Sequence, residues 1–564
     1  SQTAAPVDSA APTAGDDKPE ARATRAKDDG LLTAPSAPPP PVKGGAFGGS
    51  GAQAALVPTS APADVPHLDP NGRYATTYRP GSAALAAFDA AIARGSIPAA
   101  DRDLVGDFAA RYAPALAKPK TGAMAFAVDT ERSAVGPNGG DVNLRIAMRS
   151  SDAMPGRAPL SVHVVLDVSG SMGGSAIANA RNAAESLVER LDANDDFSMV
   201  TFSSDAKVLV PDGLVGSRRK WIADRIASVV ADGGTNISAG LDLGYQEAKS
   251  SDVRPDAVRI VMFLSDGHAN GGDTRPAALA DRAGKAFQDG VQTSSFGLGA
   301  DFDAPLMSSI ADRGAGGYYY LADSSQIAPA LARELDARLV PVAQAVEVRV
   351  RLRPDVVATK VFGSRELGDA EALRVREQEI AIDLQAQLKG IKSDRKDDSS
   401  GGMRFFIPAF ARDDRHAMLL TLHVPAGTDD RSIASVEIRY KDRVAKQNVT
   451  KEMPVAIHYA SGDAESAATV DASVERTTQA FAAGDAILQA VTDVEHNDRF
   501  TAAQILGERA AILRAAAEQL HEPMFGDDAS RFTRLASAVD GTDRVSDALP
   551  LAVLLRGSSA GYLR

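Results

Sequence analysis

The stretch Val164 to Gly174, VVLDVSGSMGG, constrains this chain more than any other part of it. An apolar run ends on Asp167, with Ser169 and Ser171 at alternate positions and glycines around them. It reads as a β-strand whose polar groups sit at its carboxyl end, where open α/β sheets bind ligands. Alternate side chains share a face of a strand, so all three can aim at one point as the strand turns into a glycine-rich loop. One carboxylate and two hydroxyls, with no nitrogen or sulfur, suit a hard cation. Mg²⁺ is the natural occupant, with Mn²⁺ or Ca²⁺ as alternatives. Thr235 in DGGTN and Asp266 in FLSDG adjoin further helices and strands expected of the same sheet, and complete a five-residue candidate set.

In the order Asp-x-Ser-x-Ser, then Thr, then Asp, these residues resemble the metal-ion-dependent adhesion site of the von Willebrand factor A domain. The opposing reading makes Asp167 a cap for the helix beginning near Ser175 and gives the serines to turns. That reading leaves Thr235 and Asp266 without a role. The resemblance implies that Thr235 ligates directly in a high-affinity state while Asp266 holds a bound water, and that the two exchange priority in a low-affinity state. It also implies a coupled displacement of the closing helix, Ile327 to Leu339. With one charged direct ligand the ion keeps much of its charge and retains water on its open side, which a partner's carboxylate can displace. His268 reads as an exposed loop residue, because imidazole matches magnesium poorly. Asp301 and Asp303 read as a helix N-cap rather than a second metal site.

Around this stretch, residues 161–340 alternate strand and helix as a doubly wound sheet does. A helix spans Ser175 to Leu191, FSMVTFS and AKVLVP form a hairpin pair, and RRKWIADRIASVV is a helix carrying Trp221. A helix runs to Lys249, followed by the strand VRIVMFLSD and a helix from Ala277 to Gln288. The strand VQTSSFGLG, a short helix from Pro305 to Arg313, the edge strand GGYYYLAD and the closing helix complete six strands and six helices. The resemblance implies a parallel sheet with one short antiparallel edge.

Before it, MAFAV and VNLRIAMRSS (residues 123–160) alternate apolar and polar residues as half-buried strands do. The pattern resumes after it, over 341–462, in AVEVRVRLRP, MRFFIPAF, AMLLTLHVP, ASVEIRYKD and PVAIHYA. The expected fold is therefore multidomain α/β plus β. A Rossmann-like A domain is inserted in, or flanked by, a β-sandwich, with its two ends meeting at one edge. A sandwich built wholly from the later strands is the competing arrangement. GIKSDRKDDSSGG, Gly390 to Gly402, reads as a surface loop. Residues 67–122 form an N-terminal helical segment, with Leu85, Phe88 and Ile92, then Leu104, Val105, Phe108 and Tyr112, at helical spacing. Residues 463–564 form a C-terminal helical domain, a hairpin with a third piece around Phe532 to Val539. Gly95, Ile97, Pro98, Asp107, Phe108 and Tyr112, with the closing Leu555, Arg556, Gly557 and Ser558, resemble the YfbK-like group of bacterial envelope lipoproteins.

Residues 1–66 are mostly Ala, Pro, Ser, Gly, Thr and Asp, too poor in apolar surface to offset ordering entropy, and read as a disordered tether. A tether of this kind fits an anchored N-terminus, although a flexible tail of a soluble protein has the same composition. The chain opens on Ser1 without an initiator methionine, which reads as a processed or trimmed start. A formal charge of -13 argues against a nucleic-acid partner. The absence of cysteine excludes disulfides, thiolate zinc and cysteine nucleophiles. No apolar run reaches the roughly 18 residues of a membrane span, so a membrane role would run through an N-terminal lipid anchor. GLGADF fails the dinucleotide fingerprint at Phe302, Gly284-Lys285 lacks the hydroxyl of a phosphate loop, and no histidine belongs to a catalytic motif. The expectation is a non-enzymatic protein of the bacterial cell envelope. It would bind a protein partner presenting Asp or Glu to a divalent cation; the alternative is an assembly scaffold in which the metal is structural.

Overall fold

The computed structural model describes residues 67–540, apart from 79–83, 95–97, 99, 154–158, 250–256, 300, 301, 340 and 396–400. The expected tether, Gly95, Ile97, Asp301 and the closing LPLAVLLRGSSAGYLR lie outside the described residues.

The described residues open with a two-residue strand β1 (Arg73–Tyr74), helices α1 (Ala84–Arg94) and α2 (Asp103–Ala110), and strands β2 (Met124–Thr130), β3 (Ala134–Val135) and β4 (Gly140–Ser150). The α/β module follows as β5 (Leu160–Asp167), α3 (Ser175–Arg190), β6 (Asp196–Phe202), β7 (Ala206–Val210), α4 (Arg219–Ala227), α5 (Ile237–Lys249) and β8 (Val258–Ser265). It closes with α6 (Pro276–Gln288), β9 (Val291–Leu298), α7 (Ala304–Arg313), β10 (Ala315–Leu321) and α8 (Ile327–Leu339). The module's sheet has the order β10-β9-β8-β5-β6-β7, parallel except for β7, which runs antiparallel to β6.

The central strand β5 is buried along its whole length because helices cover both faces of the sheet, which is why it reads as a near-continuous apolar run. Val162, Val164 and Leu166 pack with Ile177 and Leu187 of α3, Ile222 of α4 and Leu331 of α8. On the other face Val165 packs with Leu241 of α5, Leu279 of α6 and Ile310 of α7.

After the module come β11 (Ala343–Leu352), β12 (Val357–Val361), α9 (Asp369–Leu388), β13 (Met403–Phe410), β14 (Arg415–Val424), β15 (Arg431–Asp442) and β16 (Gln447–Tyr459). One sheet has the order β12-β14-β4-β2, so strands from before the module pair with strands from after it, Ile146 opposite Met418. The other has the order β1-β13-β11-β15-β16-β3. Both sheets contribute to one core, in which Leu144, Ile146 and Leu420 meet Val348, Phe405 and Ile438. A sandwich made from the later strands alone is excluded by the β4–β14 ladder. The module's ends do not leave from one edge, either. They leave interior strands of different sheets and meet at the β13–β14 connection, where Ser150 N–H donates to Asp414 O (2.9 Å) and Val342 N–H to Phe410 O (3.0 Å).

Three further differences from the expected layout concern polar interiors and short elements. The N-terminal segment is not wholly helical, since β1 pairs in parallel with β13. The 20-residue helix α9 has no counterpart in the expected layout. It buries Glu379 and Asp383 beside Ile382 and Ala386, and leaves Leu373, Ile380, Leu384 and Leu388 exposed. The segment from Gly390 is not simply a surface loop: Ile391 and Arg395 are each 1% exposed. It is pinned because Asp383 accepts the backbone N–H of Arg395 (3.0 Å), while the buried Lys441 ammonium reaches Asp383 (2.5 Å), Asp394 (2.7 Å) and the carbonyl of Lys392 (2.8 Å).

Helices α10 (Asp463–Ala467), α11 (Ala472–Glu495), α12 (Arg499–Gln519) and α13 (Pro523–Asp540) end the described chain. The third helical piece is thus a full helix, longer than the stretch around Phe532 suggests. Phe481, Leu506, Leu513 and Phe532 share a core with Phe88, Leu104 and Phe108 of α1 and α2. Among the described residues no helix is long and apolar enough to cross a membrane.

The amino-terminal end of the module's sheet rests on α9 and β13: Phe287 packs with Ile382 and Phe406, and Gln378 donates to the carbonyl of Arg313 (2.9 Å). In a parallel sheet this orientation turns the carboxyl ends of β5 and β8 away from the sandwich.

Candidate metal centre

β5 delivers Asp167 at its last position, and the following loop is held by Met172, which is fully buried and anchors it from below. Gly174 sits at φ 74°, a left-handed conformation that lets the chain turn directly into α3 at Ser175. Asp167 is itself 0% exposed. Its Oδ1 accepts the backbone N–H of Ser169 (2.8 Å), and its Oδ2 accepts the hydroxyl of Ser265 (2.5 Å).

The other candidates converge on the same place. Ser169 Oγ and Ser171 Oγ lie 3.0 Å apart, and Ser171 Oγ–H donates to Asp266 Oδ1 at 2.8 Å. Thr235 is buried, and a Cβ placed on Gly267 would stand 3.6 Å from Thr235 Oγ1 and 4.0 Å from Ser171 Oγ. Gly267 therefore leaves room between these two hydroxyls that a side chain would occupy. The serine loop and the Thr235 loop are tied directly, with Gly170 N–H donating to Gly233 O (3.0 Å) and Asp232 N–H to Val168 O (2.7 Å). All five residues, Asp167, Ser169, Ser171, Thr235 and Asp266, thus stand on three loops brought to one end of the sheet.

Burial pushes the Asp167 carboxyl up to about 6, helped by the neighbouring Asp266 charge; the hydrogen bonds from Ser265 and Ser169 pull the other way. Burial also raises Asp266. Neither carboxylate forms an ion pair with Lys, Arg or His among the described residues. Two carboxylates and three hydroxyls with no internal cation fit a hard dication: the donors are all oxygen, and a bound charge would offset what burial leaves uncompensated. No group of three or more His, Cys, Asp or Glu that could hold a metal occurs among the described residues. His268 is exposed, with Nδ1 3.8 Å from Asp303, and Asp303 caps α7 by accepting the N–H of Leu306 at 3.0 Å.

Sequence reasoning missed the residues that orient the set. Ser265 holds Asp167, and the parallel register that places Leu166 beside Leu264 brings Ser265 to it. Asn270 Oδ1 accepts the N–H of Thr235 (2.7 Å), and Ser204 Oγ accepts that of Gly234 (3.0 Å). Ser265 could have been found from its place beside Asp266. Asn270 and Ser204 carry no comparable signal.

Comparison with known proteins locates this geometry in a family. Residues 161–333 match the model of the von Willebrand factor type A domain. YfbK of Escherichia coli K12 is 30% identical over 214 residues, 37% of this chain and 37% of that protein. The sll0103 protein of Synechocystis is 32% identical over 184 residues, 32% of this chain and 43% of that one. The chain thus spans less than half the length of either relative. A solved structure, a von Willebrand factor type A protein from Catenulispora acidiphila, superposes with a TM-score of 0.53 at 15% identity, covering 77% of this chain and 96% of that one, a likeness of fold. Domains of this family commonly bind a divalent cation at an adhesion site and mediate protein–protein interaction. Residues 161–333 of this chain are thus a von Willebrand factor type A domain, and the chain is homologous in part to YfbK and sll0103.

Proposed function

We propose that this protein is a non-enzymatic binding module of the bacterial cell envelope. It recognises an acidic side chain of a protein partner through a divalent cation, Mg²⁺ by preference, at Asp167, Ser169, Ser171, Thr235 and Asp266. The observation that carries the reading is the convergence of a buried and a half-buried carboxylate and three hydroxyls with no internal positive charge, at the end of the sheet turned away from the sandwich. When bound, the ion would supply an electrophilic coordination position for the partner's carboxylate. The chain's own residues do the rest. Ser265 and the Ser169 amide fix the Asp167 carboxylate, and Ser171 aligns Asp266. The Ala- and Pro-rich composition of residues 1–66 supports a module displayed at a distance from its attachment.

The test is capture of partners from envelope extract by the purified full chain, in Mg²⁺ and in EDTA, with wild type and Asp167→Ala. Chelation and the substitution should remove the same partner while far-ultraviolet circular dichroism stays unchanged. Undiminished capture in EDTA would end the adhesion reading. If capture persists and only the melting temperature falls, the metal is structural and the protein is a scaffold. Fractionation of cells carrying the chain tests location, and recovery in the cytoplasm alone would remove the envelope assignment.

A further inference from the structure

Thr235 differs from the other candidate ligands in how it is supported. Asp167 is the last residue of a central strand, and Asp266 follows the end of another, so the sheet itself fixes them. Thr235 lies on the connection between α4 and α5, and its place depends on what that connection is tied to.

One tie is reciprocal. Thr235 N–H donates to Asn270 Oδ1 at 2.7 Å, and Asn270 N–H donates back to Thr235 O at 3.0 Å. The pair forms a closed clamp between the Thr235 connection and the loop that follows Asp266. The fit is tight on the neighbouring residue as well: a Cβ at Gly234 would stand 3.0 Å from Asn270 Oδ1. The opposite side of the connection is held by Ser204 Oγ, which accepts Gly234 N–H (3.0 Å), and by Ser203 O, which accepts Asn236 N–H (2.7 Å). Those contacts secure the connection to the β6–β7 turn. A further tie to the loop after Asp266 lies beyond Thr235, where Ser238 Oγ accepts Asp273 N–H (3.0 Å), but Asn270 is the side chain bonded to Thr235 itself.

We propose that Asn270 is the positioning residue of the cation site, holding Thr235 in register with Asp266 while making no contact with the ion itself. The proposal rests on the cation-site reading above. A side chain that orients a ligating residue is typically worth about 10- to 100-fold in metal affinity, because a ligand oxygen free to wander must be ordered at each binding event. Asn270 is exposed, so replacing it opens no core cavity and the fold should survive. Asn270→Asp keeps an acceptor oxygen for the Thr235 amide; Asn270→Ala keeps only the backbone half of the clamp.

The experiment is calorimetric titration of the full chain with MgCl₂ and with MnCl₂. It compares wild type, Asn270→Ala, Asn270→Asp, Thr235→Ala and the Thr235→Ala/Asn270→Ala double variant, with melting temperatures in EDTA alongside. Asn270→Ala should weaken both metals about 10-fold or more, and Asn270→Asp should restore affinity to within about 3-fold of wild type. In the Thr235→Ala background, removing Asn270 should cost nothing further, since it acts through Thr235. An Asn270→Ala protein that melts lower in EDTA but binds metal as wild type does would show a merely structural contact and overturn the inference, leaving the cation site intact. Full additivity in the double variant would also overturn it. A wild-type chain that binds neither metal would instead defeat the cation-site reading itself.

Discussion

Asp167 is a residue whose burial works against the isolated fold. Its ordinary carboxyl value of 3.8 is pushed to about 6 by burial, so the folded chain holds the proton more tightly than the unfolded chain does. The sign follows. Stability is greatest below about 4, declines as pH rises towards 6, and above that carries the full cost of a buried charge, on the order of 3 kcal/mol. Asp167→Asn removes the charge and keeps an acceptor for the Ser169 amide, while Ser265 can turn its hydroxyl to accept. In EDTA at pH 7.5 the Asp167→Asn variant should therefore unfold at a higher urea concentration than wild type, and at pH 4 the two should coincide. Mg²⁺ should stabilise wild type only. A lower urea midpoint for Asp167→Asn than for wild type in EDTA would show that the fold alone stabilises the carboxylate. At this scale the sequence was informative where chemistry and spacing coincide, as in Asp167, Ser169 and Ser171 on one strand end. It was silent about Asn270 and Ser204, neutral residues whose roles are hydrogen bonds to the backbone of a segment some 30 positions away.

At the scale of elements, what the sequence hid is α9. Helix recognition from a sequence relies on an apolar stripe facing inward, and α9 inverts it, turning Glu379 and Asp383 to the sheet and Leu373, Ile380, Leu384 and Leu388 outward. Strand β8 of the module, a near-continuous apolar run from Ile260 to Leu264, was legible for the opposite reason. The charged interior of α9 is held by matching charges: Asp383 meets Lys441, and Glu379 accepts from Arg376 at 2.8 Å. A buried pair of this kind is costly to break from one side, because the remaining charge is left unpaired. Lys441→Met should therefore destabilise the chain by about 3–5 kcal/mol. Adding Asp383→Asn should recover part of that loss, since it removes the second charge of the pair while its side-chain carbonyl can still accept the N–H of Arg395 and the hydroxyl of Ser393. Chemical denaturation of the two variants checks this. A loss below about 1 kcal/mol in Lys441→Met would mean that α9 is held by Ile382 and Ala386 rather than by the ion pair.

At the scale of the whole molecule, the module and the sandwich are separately cored. The two faces of the module's sheet pack against its own six helices, and the sandwich core contains none of these residues. Each body also holds one neutral histidine, His163 fully buried and His416 half-buried at the surface of the sandwich strand. His163 in β5 is bonded through Nε2 to Ser161 Oγ and through Nδ1 to Ser198 Oγ, both at 2.7 Å, and His416 in β14 through Nε2 to Thr77 Oγ1 at 2.9 Å. Burial lowers both from an ordinary 6.5 to about 3. The unfolded chain takes up these protons and the folded chain does not, so the stability they contribute is complete above about 6.5 and is lost as pH falls towards 3. Between pH 7.5 and 5 each body should lose about 2 kcal/mol from its own histidine. Calorimetry of the full chain should therefore show a sandwich transition that moves down on acidification and a module transition that moves less, because Asp167 regains its proton over the same range, whereas Mg²⁺ raises only the one belonging to the module. Residues 159–339 expressed alone should reproduce that transition and its response to the metal, since the sequence between β4 and β11 carries every residue of its sheet, its helices and its candidate ligands. If the excised segment does not fold, or if Mg²⁺ moves both transitions together, the contacts of Phe287 with Ile382 and Phe406 bind the two bodies into one cooperative unit, and ligand binding at the far end of the sheet is then felt by the sandwich.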